Sequence, residues 1–434
     1  MLQSYQFISH EDQKVEKLLK SFFSKHPKNI ELSLDRVFKL LAKLGNPQKK
    51  LKNVVQVAGT NGKGSVSTVL YKLQQLNGRK VNIYRSPHLM SFNERIHILN
   101  KQISNKHLLE VLDYVDHING KSNITFFEAI TVAAFFAFSK TNADITILEV
   151  GLGGRLDATN TISQNLVSLI TPIGIDHKEF LGKNLTLIAK EKAGIIKKNS
   201  GVISSKQNKL VREIIVDRAK EQKSKCLMYG ESWKIKDNIF QYKDFNINLS
   251  KLSLEGNHQY MNASMAILAC ITRKELEIDY LKLENSINKI KWEGRLQKLT
   301  GSLSKKYNDF DIWVDVAHNV LGFRALRSWI KKNNITKPIF IIGLGIKKDY
   351  KGIIKEIKKT NPSLICFLSE LNFNSHKPEK LKKFTAKLEI ESYIGENINE
   401  ILGYVRLKHK ASKKKLIMIT GSIGLIGDIL DKNN

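Results

Sequence analysis

A glycine-rich segment with one lysine, Gly59-Thr60-Asn61-Gly62-Lys63-Gly64-Ser65, carries the clearest chemical signal in the sequence. It follows the β-branched run 54–57 and precedes a segment with apolar residues at helical spacing. A strand, loop and helix in this order direct free backbone N–H groups and a positive helix end at one point, which suits a polyphosphate. Lys63 could reach the β- and γ-phosphates. The segment therefore predicts phosphate binding, with an ordinary glycine-rich turn as the alternative.

The segment departs from the usual P-loop in two places. Val57 stands where the first glycine belongs, and Gly64 stands where a hydroxyl residue usually follows the lysine. Ser65 is a further candidate for the hydroxyl, one position later than usual. The phosphate loop is thus predicted from its context as much as from its own residues.

Two polar residues follow apolar runs that predict buried strands. Glu149 lies near the end of the run 145–150, and His177 follows the run 166–171. Open α/β sheets bind ligands beyond the carboxyl ends of their strands, and a buried carboxylate needs a partner. We therefore expect Glu149 and His177 at the same edge of the sheet as the phosphate loop. A charged strand end and a structural histidine are the alternative interpretations.

Strands alternate with helices along most of the chain. Residues 233–254 alternate in polarity and predict hairpins, and the strand–helix pattern restarts after Arg295. The alternation predicts an α/β fold with a mainly parallel sheet covered on both faces, in a first domain 1–295 and a smaller second domain 296–434. The predicted helices are 31–44, 66–76, 127–139, 187–193, 210–222, 259–271 and one near 285–290. The predicted strands are 54–57, 81–84, 145–150, 166–171, 202–204, 226–229, 312–316, 339–344, 364–368 and 416–420.

The 434 residues carry a formal net charge of +30. Lysines are spread over the whole length, so we interpret the charge first as a solvated surface, then as attraction of anionic substrates, and last as nucleic-acid binding. No apolar run reaches the roughly 18 residues that span a bilayer, and residues 1–10 lack an export signal. Cys226, Cys270 and Cys366 are far apart in apolar surroundings, which indicates buried thiols in a reducing compartment. We expect a cytoplasmic protein that binds neither membranes nor nucleic acid.

Together the motifs resemble the Mur ligase superfamily, and within it the folylpolyglutamate synthase/dihydrofolate synthase group, over almost the whole chain. The departures of the phosphate loop are this family's own form. The resemblance implies a P-loop Mur-ligase-type central ATPase domain with a parallel-rich sheet and a smaller C-terminal Rossmann-like α/β domain. The motifs that carry it are VAGTNGKGS (57–65), SPHL (86–89), FNERI (92–96), TFFE (125–128), EVGLGGRLDATN (149–160), DH (176–177), EKAGI (191–195), HQ (258–259), NA (262–263), and Asp315 with AHN (317–319).

The resemblance implies an ATP-dependent ligase that joins a carboxylate to the amino group of L-glutamate. The carboxylate of dihydropteroate, or of a (tetrahydro)folate with its glutamate tail, attacks the γ-phosphate to give an acyl phosphate, from which glutamate displaces phosphate. The first step brings two anions together and needs cations. The resemblance also implies two Mg²⁺ ions, K⁺ as a candidate activator, and a monomer. The TFFE segment favours a bifunctional enzyme, with a monofunctional folylpolyglutamate synthase as the alternative.

The resemblance also implies roles for individual residues. The catalytic residues would be Lys63, Lys192 and His318, and the Mg²⁺ ligands Ser86, Glu149 and His177. Lys192 would be carbamylated by CO₂, because a nearby cation disfavours the ammonium form and leaves a reactive amine. The nucleotide would be bound by Thr60, Asn61, Gly62, Lys63, Gly64, Ser65, Asn262, Arg295 and Asp315. The pterin would lie near Thr125, Phe126, Phe127, Glu128, Leu156, Asp157 and Ala158, and the incoming glutamate near His318 and Ser422.

The nucleotide residues on both sides of the predicted domain boundary imply a site that closes over ATP when the C-terminal domain moves. The sequence departs from the family in three places. The usual Asp-Gly-Ala-His-Asn-Pro is DVAHNV (315–320), the usual Pro-Gly-Arg is EGR (293–295), and a Gly-x-Leu-x-Asp-Lys-Asp-like segment is GLGIKKD (343–349). Because Asp315, His318 and Arg295 are kept, we expect catalysis to be kept and the loop geometry to differ.

Two other functions fit the sequence less well. A Mur ligase for a nucleotide-linked peptidoglycan precursor would need a UDP-binding domain before the phosphate loop, and the sequence gives no sign of one. A basic nucleic-acid-binding ATPase would need lysine and arginine clustered with aromatic residues in a groove. The sequence predicts no such groove.

Overall fold

A computed structural model describes residues 10–25, 33–182, 184–409 and 415–433. These residues divide into two compact units. Unit A contains those of Ile8–Ser253 and His258–Ile290, and unit B those of Leu254–Asn257 and Lys291–Asn434. Of residues 1–10, on which the expectation about export rests, only His10 is described, and the predicted helix 31–44 is described from residue 33.

Unit A is built on a sheet to which the described residues contribute eight strands. These are β1 Val54–Ala58, β2 Val81–Tyr84, β3 Ile96–Ile98, β4 Lys101–Gln102, β5 Ile145–Glu149, β6 Val167–Ile170, β7 Gly201–Ser204 and β8 Lys225–Met228. Their order is β4-β3-β2-β5-β1-β6-β7-β8. All neighbours from β2 to β8 pair in parallel, and β3 and β4 pair antiparallel at one edge. The parallel sheet expected from the sequence is therefore confirmed.

The central strand β1 is buried along its whole length. A parallel strand covered on both faces needs a nearly continuous apolar sequence, and Gln56 is the one polar residue in this strand. Its amide Nε2 donates to the carbonyl of Thr159 (3.1 Å), and its Oε1 accepts from Asn165 Nδ2 (2.8 Å). The buried glutamine thereby attaches the turn Ala158–Thr161 to the centre of the sheet.

The helices of unit A include α5, which is apolar on nearly every side and almost entirely buried, as a helix surrounded by protein must be. It shares one apolar core with α1, α2 and α4. A second core joins α7 and α8 to β6 and β7. The helices are α1 Gln13–Ser24, α2 Asp35–Lys43, α3 Lys63–Leu76, α4 Asn105–Asn119, α5 Phe126–Ser139, α6 Lys178–Leu181, α7 Leu185–Ala193, α8 Lys209–Glu221, α9 Asn257–Thr272 and α10 Tyr280–Ser286.

Three helices whose starts the apolar periodicity missed or misplaced begin at side-chain caps. The helix predicted near 285–290 is confirmed in type, because residues 285–286 end α10 and Ile287–Lys289 continue as a 3₁₀ helix. Its start was misplaced, because α10 begins after Asp279, which accepts the Lys282 N–H. Helices α1 and α4 were not predicted, although Asp12 and Ser104 cap them in the same way. Both helices also have apolar residues at helical spacing, so both signals of a helix start were present in the sequence.

The hairpins predicted for 233–254 are confirmed. Three antiparallel strands, β9 Lys234–Lys236, β10 Ile239–Tyr242 and β11 Phe245–Asn248, form a small separate sheet.

Unit B contains a second sheet, with the order β12-β13-β17-β14-β15-β16 among the described residues. Its strands are β12 Gln297–Lys298, β13 Phe310–Asp315, β14 Ile339–Ile342, β15 Leu364–Leu368, β16 Ser392–Gly395 and β17 Lys415–Thr420. All pairs are parallel except that of β12 with β13. The helices are α11 Ser302–Lys306, α12 Val320–Lys332, α13 Tyr350–Lys358, α14 Pro378–Ala386, α15 Ile398–Lys408 and α16 Ile423–Asn433.

The described part of the chain contains no helix with the length and apolar character needed to cross a membrane. Cys270 and Cys366 are buried as expected, whereas Cys226 is only partly buried. Cys226 lies on β8, the last strand of the sheet among the described residues, where it has a neighbouring strand on one side.

Candidate active site

The phosphate loop leaves β1 and enters α3 through two glycines that no other residue could replace without strain. Gly59 has φ +147° and Gly62 has φ +90°. A Cβ atom on Gly59 would overlap the Thr171 side chain, and one on Gly62 would lie 2.6 Å from Asn262 Oδ1. The main chain therefore approaches β6 and α9 closely at this turn, and Lys63 becomes the first residue of α3.

Two lysines share one carbonyl of the phosphate loop. Lys192 Nζ donates to Gly59 O at 2.8 Å, and Lys63 Nζ donates to the same oxygen at 3.2 Å and to Thr60 O at 3.4 Å. Lys192 comes from α7 and is only 5% exposed. Its burial, and then the charge of Lys63, lower the pKa of the Lys192 ammonium to about 7, against the opposing charges of Asp176 and Asp157. A large fraction of Lys192 is therefore a neutral amine near neutral pH.

Ser86 and Glu149 lie at the edge of the sheet where the phosphate loop begins. Strand β5 lies between β2 and β1, with Tyr84 opposite Leu148 and Val57 opposite Glu149. Ser86 follows β2 by two residues, so its side chain belongs to the same carboxyl edge as Glu149. Ser86 Oγ is buried without a hydrogen-bond partner, and the Glu149 carboxylate is 5% exposed. Hard oxygen donors of this kind suit Mg²⁺.

His177, the third metal-ligand candidate, follows β6, the strand on the other side of β1. It is exposed, adopts a left-handed backbone conformation with φ +51°, and precedes the short helix α6. Its backbone N–H donates to Asp176 Oδ1 of the preceding residue at 3.0 Å. Within the described residues, no three His, Cys, Asp or Glu side chains form a metal cluster by themselves. The donors present fit a Mg²⁺ ion that takes its remaining ligands from phosphate oxygens and water.

The predicted pterin residues at 125–128 open α5 with a capping box. Thr125 Oγ1 accepts the Glu128 N–H (3.2 Å), and Glu128 Oε2 accepts the Thr125 N–H (2.8 Å). Arg36 of α2 donates to both carboxylate oxygens of Glu128, at 3.2 and 3.0 Å. The Phe127 ring leaves no room for a Cβ atom on Gly151, and Phe126 packs edge-on against aromatic neighbours. These residues have structural roles, and their contact with substrate stays a prediction.

Asp157, a second predicted pterin residue, is buried and shapes its own loop. Its carboxylate accepts the N–H groups of Leu152 (2.8 Å) and Thr159 (3.0 Å) and the Thr159 hydroxyl (2.5 Å). Burial raises the pKa of the Asp157 carboxyl, against these hydrogen bonds. Of its neighbours, Leu156 is partly buried and Ala158 buried. The loop 151–158 is therefore positioned by Asp157, and a contact with pterin stays a prediction.

Asn262 lies on α9 directly beside the phosphate loop. Its Nδ2 donates to Gln259 Oε1 at 3.0 Å, and its Oδ1 faces Gly62. The fold therefore brings this predicted nucleotide residue next to the loop in unit A, together with Ser65, which is buried at the start of α3.

In unit B, Asp315, His318 and Ser422 lie at one edge of the second sheet. Strands β13 and β17 pair in parallel with Asp315 opposite Thr420. Asp315 accepts the N–H groups of Leu296 (2.9 Å) and Ala317 (2.8 Å). His318 Nδ1 lies 2.8 Å from Val316 O, and Ser422 Oγ accepts the Leu425 N–H at 3.1 Å.

The Arg295 guanidinium lies over the Trp292 ring, 5.3 Å from the ring centroid. Arg295 directly precedes Leu296, whose N–H donates to Asp315. Its Nη1 donates to the carbonyl oxygens of Glu293 and Gly294, each at 3.4 Å. Asp315 thus fixes the short segment that carries Arg295.

A buried arginine beside the metal candidates was not predicted. Arg85 Nη1 donates to Thr68 Oγ1 (3.0 Å), and its Nη2 lies 2.9 Å from His97 Nε2. Burial, and then the charges of Arg85 and Lys72, lower the pKa of His97 to about 3, so this imidazole is a neutral acceptor. The signal in the sequence was an arginine directly after the apolar strand 81–84.

Lysines do cluster with aromatic residues on one face of unit B, contrary to the sequence interpretation. A groove of about 490 Å³ between α13 and α14 is lined by Tyr350, Lys351, Lys377, Glu379, Lys380, Lys383, Phe384 and Lys387. The groove lysines at 377, 380, 383 and 387 recur every three or four residues, which places them on one side of α14 and its ends. The two aromatic residues come from different helices, and their position beside these lysines does not follow from local sequence. The sequence interpretation was therefore wrong for this face.

Comparison with known proteins agrees with this architecture. Residues 57–270 match the Mur ligase middle domain. The dihydrofolate synthase/folylpolyglutamate synthase of Buchnera aphidicola subsp. Schizaphis graminum is 33% identical over 381 residues, which cover 86% of each chain. The dihydrofolate synthetase of Saccharomyces cerevisiae is 32% identical over 431 residues, 93% of this chain and 98% of the yeast protein.

Among solved structures, E. coli FolC in complex with DHPP and ADP superposes with a TM-score of 0.83 at 25% identity, covering 96% of both chains. The fold class and the family expected from the sequence are confirmed. The chain belongs to the dihydrofolate synthase/folylpolyglutamate synthase family of ATP-dependent ligases, with the Mur ligase fold.

Proposed function

We propose that this protein uses ATP to form an amide between L-glutamate and the carboxylate of dihydropteroate or of a (tetrahydro)folate. The observation that carries the proposal is the pair Lys63 and Lys192 on one carbonyl of the phosphate loop. Lys63 supplies a positive charge at that point, which suits the approach of a carboxylate to a triphosphate, because this step brings two anions together.

Each step of the reaction can be assigned to residues of this chain. In the first step a substrate carboxylate oxygen attacks the γ-phosphorus of ATP and ADP leaves, with Lys63 and the free N–H groups at the start of α3 offsetting the negative charge. In the second step the glutamate amine attacks the acyl carbon and phosphate leaves. We assign the glutamate to His318 and Ser422, and the nucleotide to Asn262, Arg295, Asp315 and residues 60–65.

Mg²⁺, when bound, would neutralise charge on the phosphates, and Ser86, Glu149 and His177 would hold it. The partnerless Ser86 hydroxyl supports this assignment, because a buried polar group without a partner is costly and usually has a ligand. A second Mg²⁺ ion and activation by K⁺ belong to the proposal through the family resemblance.

Lys192 is proposed to carry a carbamate. Its neutral amine would attack the carbon of CO₂ and release one proton, which replaces a cation by an anionic oxygen donor. The pKa of about 7 supports this reaction, since the neutral amine is the reactive form.

A bifunctional enzyme is the version of the proposal we favour. The Buchnera relative is named for both activities and the yeast relative for dihydrofolate synthesis alone, so a single activity is the alternative. We also propose a cytoplasmic monomer that does not bind nucleic acid; the free cysteines support a reducing compartment.

The test is phosphate release from Mg-ATP by the purified protein with L-glutamate and either dihydropteroate or tetrahydrofolate. Glutamate-dependent release with both pterins supports the bifunctional version, and release with one fixes the specificity. Absence of release with both, despite ATP binding, would overturn the folate assignment and direct the search to other amino-acid ligase substrates.

A further inference from the structure

The segment that joins β6 to the metal-ligand candidate His177 lies beyond the end of the strand ladder. Strand β6 ends at Ile170, and the next residues, 171–174, include a proline and so one N–H fewer than usual. Backbone groups near a sheet need partners. Thr171 N–H donates to Ala58 O at 2.8 Å, and two side chains and one main-chain amide supply further partners for this segment.

The phosphate loop holds one side of this segment. Thr60 N–H donates to Pro172 O at 2.9 Å. Thr60 Oγ1 donates to Gly174 O and accepts Gly174 N–H, both at 3.0 Å.

Gln207 holds the other side. Its Oε1 accepts the Ile173 N–H at 3.0 Å, and its Nε2 donates to Thr171 O at 3.0 Å. Nε2 also lies 3.3 Å from Ser204 Oγ and 3.2 Å from Ser205 Oγ, at the end of β7. One amide side chain therefore continues the β6–β7 pairing by one more step, in the way a strand residue would.

We propose that Gln207 is a positioning residue for the reaction, which fixes the loop carrying Asp176 and His177 relative to Thr60 of the phosphate loop. The inference rests on the proposed function, because it assumes that this loop serves the nucleotide and its metal. Gln207 itself need not touch a ligand.

A purely local role in starting α8 explains the contacts less well. Helix α8 has its own cap, since Asn208 Oδ1 accepts the Val211 N–H at 2.9 Å. Gln207 makes both of its backbone contacts with the segment after β6 instead. Its side chain is therefore committed to the loop and not to the helix.

The experiment combines hydrogen exchange at single amides of the ligand-free protein with Mg²⁺-dependent ADP binding by calorimetry. For Gln207→Met we expect the Ile173 amide to exchange at least about tenfold faster, and the Mg²⁺-dependent affinity for ADP to fall about tenfold, as for residues behind metal ligands. The Gly174 amide, held by Thr60, is an internal reference and should change less.

The matched control is Gln74→Met. Gln74 is a buried glutamine of unit A whose Nε2 donates to Leu276 O at 2.6 Å, far along α3 from Lys63. We expect this variant to lower the melting temperature without changing Ile173 exchange or Mg²⁺-dependent binding.

Unchanged Ile173 exchange in Gln207→Met would overturn the inference, as would faster exchange with unchanged ADP affinity, or equal loss of affinity in the control. If Gln207→Met does not fold, Gln207→Glu keeps the acceptor for Ile173 and loses the donor to Thr171. For this variant the Mg²⁺-dependent affinity for ADP should fall while Ile173 exchange stays near the wild-type rate, and unchanged affinity would overturn the inference. The proposed function fails in a different way: the wild-type protein then releases no phosphate with either pterin, and the Ile173 exchange rates of Gln207→Met and Gln74→Met are unaffected.

Discussion

The candidate site residues at the carboxyl edges of the two sheets differ in their hydrogen bonding and burial. In unit A the edge holds a hydroxyl without a partner, Ser86, and a buried lysine with a pKa of about 7, Lys192. In unit B the candidate residues are already bonded to the backbone: Asp315 accepts the N–H groups of Leu296 and Ala317, and Ser422 caps the start of α16.

The difference indicates that the two edges have different roles in the protein. Polar groups that a fold leaves buried and unsatisfied cost stability, so they mark places where a ligand supplies the missing partner. Groups that already hold neighbouring backbone act by shaping loops. We therefore expect variants in unit A to lose chemistry while keeping stability, and variants in unit B to lose stability and binding together.

The largest effect is expected for Lys192→Met. Loss of the amine at the phosphate loop should reduce the rate of phosphate release by at least about 100-fold, in the range found when one stabilising group of a reaction centre is removed. The comparison is the neighbouring exposed Lys198→Met, which should be close to wild type. Full activity of Lys192→Met would contradict the assignment of the reaction chemistry to the carboxyl edge of the unit A sheet.

Lys192 should also make stability depend on pH in a particular direction. Its folded pKa is lowered to about 7 from 10.5, so between these values the unfolded chain binds a proton that the folded protein does not. Stability should therefore rise with pH from 7 to 10.5, by about 1.4 kcal/mol per unit of pKa difference at most.

The Lys192→Met protein lacks this dependence. In bicarbonate-free buffer its melting temperature should exceed that of the wild type most at and below pH 7, and the gap should close toward pH 10.5. A constant gap would mean that the lysine is not buried in the folded state as described.

Ser86→Ala should separate metal binding from folding. Removing a partnerless buried hydroxyl should leave the melting temperature unchanged or slightly higher, while the Mg²⁺ concentration for half-maximal phosphate release rises about tenfold or more. Ser264→Ala is the matched control, because Ser264 Oγ is also buried without a partner in unit A. Equal Mg²⁺ requirements for the two variants would contradict the role of Ser86.

Asp315→Asn should behave in the opposite way. The amide cannot accept both the Leu296 and the Ala317 N–H, so about 1–3 kcal/mol of stability should be lost. The KM for ATP should rise with it, because the Leu296 contact fixes the segment next to Arg295. Chemical denaturation and ATP titration measure the two effects, and a pure loss of turnover at unchanged stability would place Asp315 with the residues of unit A.

The smallest effect is expected for nucleic acid at the groove between α13 and α14. Its aromatic rings already contact each other edge to face at 5.7 Å, and Lys380 Nζ lies over the Tyr350 ring at 5.0 Å, which leaves little ring face for stacking. Filter binding should give only non-specific affinity, on the order of 10⁻⁵ M at physiological salt. Tight binding with a steep salt dependence, lost in Lys380→Ala/Lys383→Ala, would instead favour a nucleic-acid partner.

Much of the fold followed from local sequence. The buried strands, the phosphate loop and the hairpins at 233–254 have patterns that a few neighbouring residues define. The helix near 285–290 was right in type but began too late, because the cap at Asp279 starts α10 at Tyr280. Helices α1 and α4 were missed although the cap and the apolar stripe of each are present in the sequence.

The sequence by itself determined the family, the residue types of the site and their order along the chain, because these depend on short motifs. Only the tertiary structure decided which of those residues are buried and which already have hydrogen-bond partners. Lys192 became distinct from the other lysines when α7 placed it against Gly59 O, and Glu128 became a structural residue when α2 brought Arg36 to it. The physical reason is that burial and partners come from residues distant in sequence, and these set the protonation and hydrogen bonding on which chemistry depends.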